Sequence, residues 1–276
     1  MKGFMKLVLA ALFFVAVIIF VWISNGGLSG IMNTQVMTEH LEDADKVERL
    51  VIQTGSMDVD LVPTAADQIK ITLEGKASRS FQKKIDLNIK ESEGTLDVKV
   101  LLSNQVGFRF SVPNVTLRIE LPEKAYKELQ IETSSGDMTL HSVNSAYISL
   151  KSSSGDITAR GYSADLLKFK ASSGDIHLSE GGAELQGETS SGDMRISLAS
   201  LQSNINLVSS SGDIDIKLGE APSALNLDFR SASGDGRVGL EGFEYETDKS
   251  NRIIGKIGSG DINIKVKTSS GDFSMD

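Results

Sequence analysis

The stretch "KSSSGDITA", Lys151 to Ala159, holds little that could enter a core, yet its central Ser-Gly-Asp returns throughout the chain. Copies stand at Gly136, Gly155, Gly174, Gly192, Gly212, Gly234, Gly260 and Gly271, each preceded by Ser and followed by Asp. Repetition on this scale governs how any shorter motif is read. Seven residues before the glycines stand Leu129, Ile148, Leu167, Leu185, Ile205, Leu227, Ile253 and Ile264. Two residues after them come Met138, Ile157, Ile176, Met194, Ile214, Gly236, Ile262 and Phe273. The positions five before and four after are also mostly apolar, and three before is usually Thr, Ser or Ala. Each copy therefore encodes two half-buried strands with period-two patterning, joined at a polar corner.

Successive glycines are separated by 19, 19, 18, 20, 22, 26 and 11 residues. So short a unit cannot fold alone. Its four or so inward side chains contribute roughly 1.5 to 3 kcal/mol each, while ordering about twenty backbones costs roughly 1 to 2 kcal/mol apiece. Units must share ladders and core with neighbours, which predicts an all-β, parallel β-solenoid of 19–20-residue coils about 4.8 Å apart. An antiparallel meander with SSGD hairpin loops is the rival, but hairpin loops need no mutual resemblance, whereas stacked corners do. Weaker frames around Gly55 and Gly94, with slipped parity at Gly75 and Asn114, extend the register backward. The expected domain is 47–276, with degenerate coils over 47–128 and SSGD coils over 129–276. The final interval of 11 reads as an end coil without its loop.

At the corner, glycine is expected to supply positive φ, while Ser and Asp tie the turn to nearby backbone N–H groups. Stacking would also align Asp137, Asp156, Asp175, Asp193, Asp213, Asp235, Asp261 and Asp272 in a row. Like charges at that spacing repel by roughly 1 kcal/mol per pair in water, and calcium, which prefers oxygen ligands, would relieve the repulsion. One Asp per coil supplies few ligands, however, so no obligatory metal and no cofactor are expected.

Composition narrows the function classes. With 40% hydrophobic and 24% charged residues the chain reads as ordered and globular. Lys2 and Lys6 are the only charges in residues 1–25, leaving 26 basic against 37 acidic residues beyond them, so no basic stripe offers itself to nucleic acid. The absence of Cys excludes disulfides, thiol catalysis and a lipidated cysteine. Behind the two lysines, Leu7 to Ile23 is an unbroken apolar run of 17 residues. As a helix it measures roughly 25 Å against a hydrocarbon core of about 30 Å. Residues 1–24 thus read as an uncleaved N-terminal transmembrane anchor, with a cleaved signal peptide as the competing reading. Lysines before the span and Glu39, Glu42, Asp43 and Asp45 after it place the N-terminus in the cytoplasm and the rest outside. Residues 25–46 read as a tether.

Enzyme signals are weak. "GDGRVG", Gly234 to Gly239, matches a dinucleotide fingerprint but is followed by "LEGFEY", not a helix. His40, His141 and His177 occupy unrelated repeat offsets, and Ser80-x-x-Lys83 lacks companion motifs. A polysaccharide-active β-helix enzyme would need a local break in the repeat, and Arg230 to Arg252, where "FEYETDKSNR" is inserted, is the candidate.

The N-terminal anchor, "LVIQTGSMDVDLVP", "VTLRIELPEKAYKELQIETSSGDMTL" and the reiterated SSGD corners together resemble LiaG-like proteins of the bacterial putative-adhesin family, over about residues 45–276. The resemblance implies an extracytoplasmic β-helix-like domain beside envelope-stress signalling, in a Gram-positive bacterium, and supplies no catalytic residue. A non-catalytic scaffold or adhesin-like module of the cell envelope follows, partnered by the membrane through residues 7–23 and by wall polymer or a membrane protein of a stress-sensing system. The alternatives are the polysaccharide-active enzyme and a secreted adhesin.

Overall fold

The computed structural model describes residues 33–102 and 114–276. The predicted transmembrane helix falls outside the described residues. The chain begins with β1 (Asn33–Asp43), a 3-10 turn (Ala44–Lys46), β2 (Arg49–Thr54), β3 (Asp58–Thr64), β4 (Gln68–Ser78), a four-residue helix α1 (Arg79–Gln82), β5 (Ile85–Ser92), β6 (Thr95–Leu102) and β7 (Asn114–Pro122). The repeats follow as β8 (Ala125–Thr133), β9 (Met138–His141), β10 (Asn144–Ser152), β11 (Ile157–Arg160), β12 (Ser163–Ala171), β13 (Ile176–Ser179), β14 (Gly182–Thr189), β15 (Met194–Leu198), β16 (Ile205–Ser209) and β17 (Ile214–Leu218). The chain closes with β18 (Leu225–Ser231), β19 (Gly236–Val238), β20 (Glu244–Lys249), β21 (Arg252–Ile257), β22 (Asn263–Thr268) and β23 (Phe273–Met275).

Seven of the eight Ser-Gly-Asp corners, all but that at Gly260, hand the chain from one sheet to the other. One sheet runs β1-β4-β7-β3-β9-β11-β13-β15-β17-β23-β19 and the other β20-β21-β18-β22-β16-β14-β12-β10-β8-β2-β6-β5. Pairing between coils is parallel and in register: Ile148 lies beside Leu129 and Leu167, and Ile157 beside Met138 and Ile176. Alternation sends Ile148, Leu150, Ile157 and Ala159 of one coil into the core between the sheets, all essentially buried. Where the pattern breaks, size compensates. Gly187 and Gly236 occupy inward positions because a Cβ there would strike the rings of Phe169 and Phe229, and Phe229 stacks on Phe273 at 4.9 Å between centroids.

Spatial order departs from sequence order at both ends. The β2–β3 coil, first in sequence, lies between β6–β7 and β8–β9, and the β22–β23 coil, last in sequence, lies between β16–β17 and β18–β19. The final interval of 11 is thus no end coil; it is a full coil threaded into the stack. The copy at Gly260 is likewise corrected. Its preceding strand β21 runs antiparallel to β18 and β20, and the insertion forms this terminal hairpin. Residues 33–43, expected in the tether, form β1, antiparallel to β4 at the edge of a sheet. In the degenerate region, β4 and β5 also pair antiparallel, with β7 and β6 respectively.

The second corner inverts the expected use of glycine. Ser142, Gly161 and Glu180, each six residues after a corner glycine, all have left-handed φ, at 50°, 68° and 54°. A side chain in that region costs roughly 1 to 2 kcal/mol. Ser142→Gly is therefore expected to raise stability by about 0.5–1 kcal/mol, read as a rise of about 2 °C in Tm. A fall in Tm would mean that the Ser142 side chain contributes more than its backbone strain costs.

Candidate functional site: the aspartate ladder and the outer faces

Seven of the predicted corners form one edge of the solenoid. A Cβ on Gly155 would lie 2.1 Å from the Gly136 carbonyl oxygen, and the same contact recurs up the stack to Gly174, Gly192, Gly212, Gly271 and finally Gly234. Gly136 itself meets the carbonyl of Met57. None of these seven has positive φ; Gly260, outside the stack, does, at 74°. Glycine is required there by backbone-on-backbone approach, which replaces the expectation of a left-handed turn.

The aspartates bond between coils. The Asp156 N–H donates to Asp137 Oδ1 at 2.8 Å, the Asp175 N–H to Asp156 Oδ1 at 2.8 Å, and the series continues through Asp193, Asp213, Asp272 and Asp235. It begins with Asp58, whose Oδ1 accepts from the Asp137 N–H. In return each Asp carbonyl accepts from the coil below, as in Ile157 N–H to Asp175 O at 2.9 Å. The Ser before each glycine donates its N–H across the gap too, Ser173 to Ser153 O at 3.0 Å, for example. Within five of the seven turns a hydroxyl three residues before glycine bonds the glycine backbone: Thr133 Oγ1 donates to the Gly136 carbonyl and Thr189 Oγ1 accepts from the Gly192 N–H, for example, whereas the Gly174 turn has Ala171 there. Asp261 takes no part and accepts from Ser259 Oγ at 2.6 Å.

Two residues of this edge escaped the sequence frame. Asp58 follows Met57 rather than glycine, and the frame centred on Gly55 was two residues out: Leu50 pairs with Leu129 and Ile52 with Ile131, which sets Met57 opposite Gly136. The hydroxyl of Thr54, bonded to the Met57 carbonyl as Thr133 is to Gly136, was the signal that could have found it.

The ladder carboxylates keep their second oxygens at the surface. Arg195 partly neutralises the middle of the row, at 2.8 Å from Asp193 Oδ2 and 3.6 Å from Asp175 Oδ2, and also meets His177 at 3.1 Å. Among the described residues no group of three or more His, Asp or Glu converges as a metal site. Asp156→Asn keeps the acceptor and removes a charge, so Tm is expected to hold within about 2 °C. Asp156→Ala strands the Asp175 N–H and should cost about 1 kcal/mol. Millimolar calcium is expected to leave Tm unchanged; a large rise reversed by chelator would show that the row collects cations.

Two shallow clefts mark the surface. One crosses the outer face of β10, β12, β14 and β16, lined by Lys151, Lys168, Lys170, Gln186, Glu188 and Asn206. Rung-to-rung ion pairs brace it, Lys151 with Glu132 and Lys170 with Glu188, both at 2.6 Å. The other sits at the second corner, near Pro63, Pro122, Tyr126, His141 and Val143. There Lys124 donates to the carbonyls of Ala44 and Val47 and lies over the Tyr126 ring, pinning the 3-10 turn to the stack. Burial pushes the Tyr126 hydroxyl up to about 12 and raises that of Tyr162, which lies under Gly181, further still. On the surface, Arg160 grips Glu180 through two hydrogen bonds and holds its carboxyl below the usual range. His40 stays on β1 beside Glu42, far in sequence and register from His177. Arg230 lies beside Asp228, both nitrogens at 2.8 Å, and Tyr245 donates to the Val238 carbonyl, so the insertion closes the stack as a hairpin.

These features define a two-sheet, mainly parallel β-solenoid held along one edge by a Gly-Asp ladder. The chain belongs to the Toastrack DUF4097 family, whose model matches residues 47–184 and again 174–276. No curated protein matches the chain. Among solved structures it is similar to a "putative adhesin" from Bacteroides fragilis, at 14% identity and TM-score 0.46 over 88% of this chain and 98% of that one. It is also similar to a "putative cell adhesion protein" from Clostridium sporogenes, at 16% identity and TM-score 0.36 over 87% and 98%. A "putative lipid binding protein" from Parabacteroides distasonis aligns at 14% identity and TM-score 0.35 over 87% and 96%.

Proposed function

We propose that the protein is a non-catalytic, membrane-tethered module on the outer side of the cytoplasmic membrane, presenting its solenoid to wall polymer or a membrane partner. The observation that carries this reading is how the side chains are spent. Inward residues fill one continuous core and corner residues bond the next coil, which leaves flat outer faces of exposed Lys, Gln, Asn and Glu as the contact surface. Such a surface, rigid and braced rung by rung, suits an extended polar polymer better than a small molecule enclosed in a cavity. The apolar run Leu7–Ile23 supports the tether, and a tie to envelope-stress signalling rests on the LiaG-like resemblance alone.

Protease added to intact cells, followed by fractionation, tests the topology. The domain should be degraded while an N-terminal fragment stays with the membrane. Degradation only after lysis, or recovery of the whole domain from the medium, would overturn the tethered reading. For the contact surface, Lys151→Ala/Lys168→Ala/Lys170→Ala should weaken co-sedimentation with purified wall polymer while leaving Tm within about 2 °C. Unchanged co-sedimentation would remove this face from the proposal.

A further inference from the structure

We propose that the N-terminal cap of the solenoid, at Lys76, Arg79, Lys83 and Lys84, is a docking surface for an anionic lipid membrane. The segment "KASRSFQKK", 76–84, carries four cations and no carboxylate in a chain of net charge -9. Lys76, Arg79 and Lys83 are exposed and Lys84 is half-buried. Among the described residues none of the four side chains lies within ion-pair distance of a carboxylate, whereas Lys70, Lys127, Lys151 and Lys170 all do. The turn is nonetheless well fixed. Ser78 Oγ accepts from the Phe81 N–H at 3.3 Å, Gln82 donates to the Ala77 carbonyl at 3.1 Å, and Phe81 packs on the core. Four unpaired cations on an ordered turn are a surface awaiting anions.

Position selects the source of those anions. Helix α1 packs against β1, and the first residue of β1, Asn33, pairs with Ser78. The chain therefore enters the domain beside the basic turn. Only residues 24–32 separate Asn33 from the end of the apolar run at Ile23, a reach of at most about 35 Å when fully extended. The same edge of the solenoid carries the aspartate ladder further along, since Lys76 pairs with Asn114, the first residue of β7, and Ile85 with Leu102, the last of β6, and these strands run parallel to β3 and β2, which meet at Asp58. A negative membrane repels that ladder and attracts the cap. Screening acts over about 8 Å at physiological salt, so only the residues in contact count. Each Lys or Arg near an anionic surface is worth about fivefold in binding, so the four together give roughly a several-hundredfold preference for the cap-down orientation.

The proximity in this inference rests on the tethered reading; the charge does not. The test places the full chain in neutral phosphatidylcholine vesicles and in vesicles containing phosphatidylglycerol, and follows backbone hydrogen exchange over 76–84. Exchange there is expected to slow at least about tenfold in the anionic vesicles only. The protection should vanish in high salt and in Lys76→Glu/Lys83→Glu/Lys84→Glu. It should persist in Lys217→Glu/Lys265→Glu/Lys267→Glu, which changes net charge equally at other exposed sites. Equal protection in neutral vesicles, or protection indifferent to the cap variant, overturns the proposal. Were the cap variant to lose its native circular dichroism, Lys83→Glu alone serves, with about a 25-fold loss for a reversed charge. Carbonate-resistant retention in neutral vesicles reads the tether separately. If retention fails, the docking surface is read from salt-sensitive co-flotation with anionic vesicles, whose absence overturns it.

Discussion

Deleting Asn263–Asp276 is expected to abolish the cooperative unfolding transition of the whole domain. In an ordinary linear repeat array, removing the last repeat breaks one interface and leaves the rest standing. Here the last repeat is internal: β22 pairs with β16 on one side and β18 on the other, and β23 with β17 and β19. The deletion removes Ile264, Val266, Phe273 and Met275, all buried, which together contribute about 6–12 kcal/mol. It also leaves the facing edges of β16–β17 and β18–β19 unpaired, with Phe229 without its ring partner. A loss of that size is comparable to the entire stability of a typical domain, about 5–15 kcal/mol. Thermal unfolding by circular dichroism and limited proteolysis would read it. A single sharp transition within a few degrees of the full chain would show that the C-terminal coil is not threaded into the stack.

Three alanine substitutions, otherwise alike, should separate by mechanism. In Gly174→Ala the new Cβ falls 2.1 Å from the Gly155 carbonyl oxygen and 2.6 Å from its carbon. The coils must part by about an ångström, weakening Ser173 N–H to Ser153 O, Asp175 N–H to Asp156 Oδ1 and Ile157 N–H to Asp175 O together. Overpacking costs roughly 1–3 kcal/mol and each weakened bond about 0.5–1.5 kcal/mol, so about 3–5 kcal/mol is expected, or a fall in Tm of about 10 °C. Gly260→Ala meets only ordinary contacts, Asn226 Cβ at 3.7 Å and Leu225 O at 3.9 Å, but keeps φ at 74°, and should cost about 1 kcal/mol. Gly55→Ala meets nothing within 4 Å and has no left-handed φ, so its effect should stay within about 0.5 kcal/mol. An order in which Gly260→Ala matched or exceeded Gly174→Ala would reject close stacking as the reason for the corner glycines.

The coil period, the parallel register and the inward rows were legible because each depends on a local pattern that repeats. Ile148, Leu150, Ile157 and Ala159 recur at the same offsets from one Gly to the next, and period-two alternation fixes which face they take. The aspartate row was legible as a row, with seven of its eight predicted members in place. Its bonding was not, because the partner of each carboxylate lies in another coil. Asp58 went unplaced because Met57 stands where the other stacked corners have glycine, so no Ser-Gly-Asp marks that corner in the sequence. Gly260 was misplaced because Ser-Gly-Asp at a turn looks the same whether the turn stacks or stands alone.

By itself the sequence determined that this chain is an all-β stack of interdependent coils, since no unit of about twenty residues can bury its own apolar face. It also settled which side chains face inward, since a strand alternates whatever its neighbours are. Tertiary structure alone decided the order of the coils and the role of the corner glycines. Both depend on which backbone lies about 4.8 Å away, and parallel rungs with matching side chains accept a neighbour from anywhere in the chain. That is how β22–β23, last in sequence, came to lie between coils that precede it.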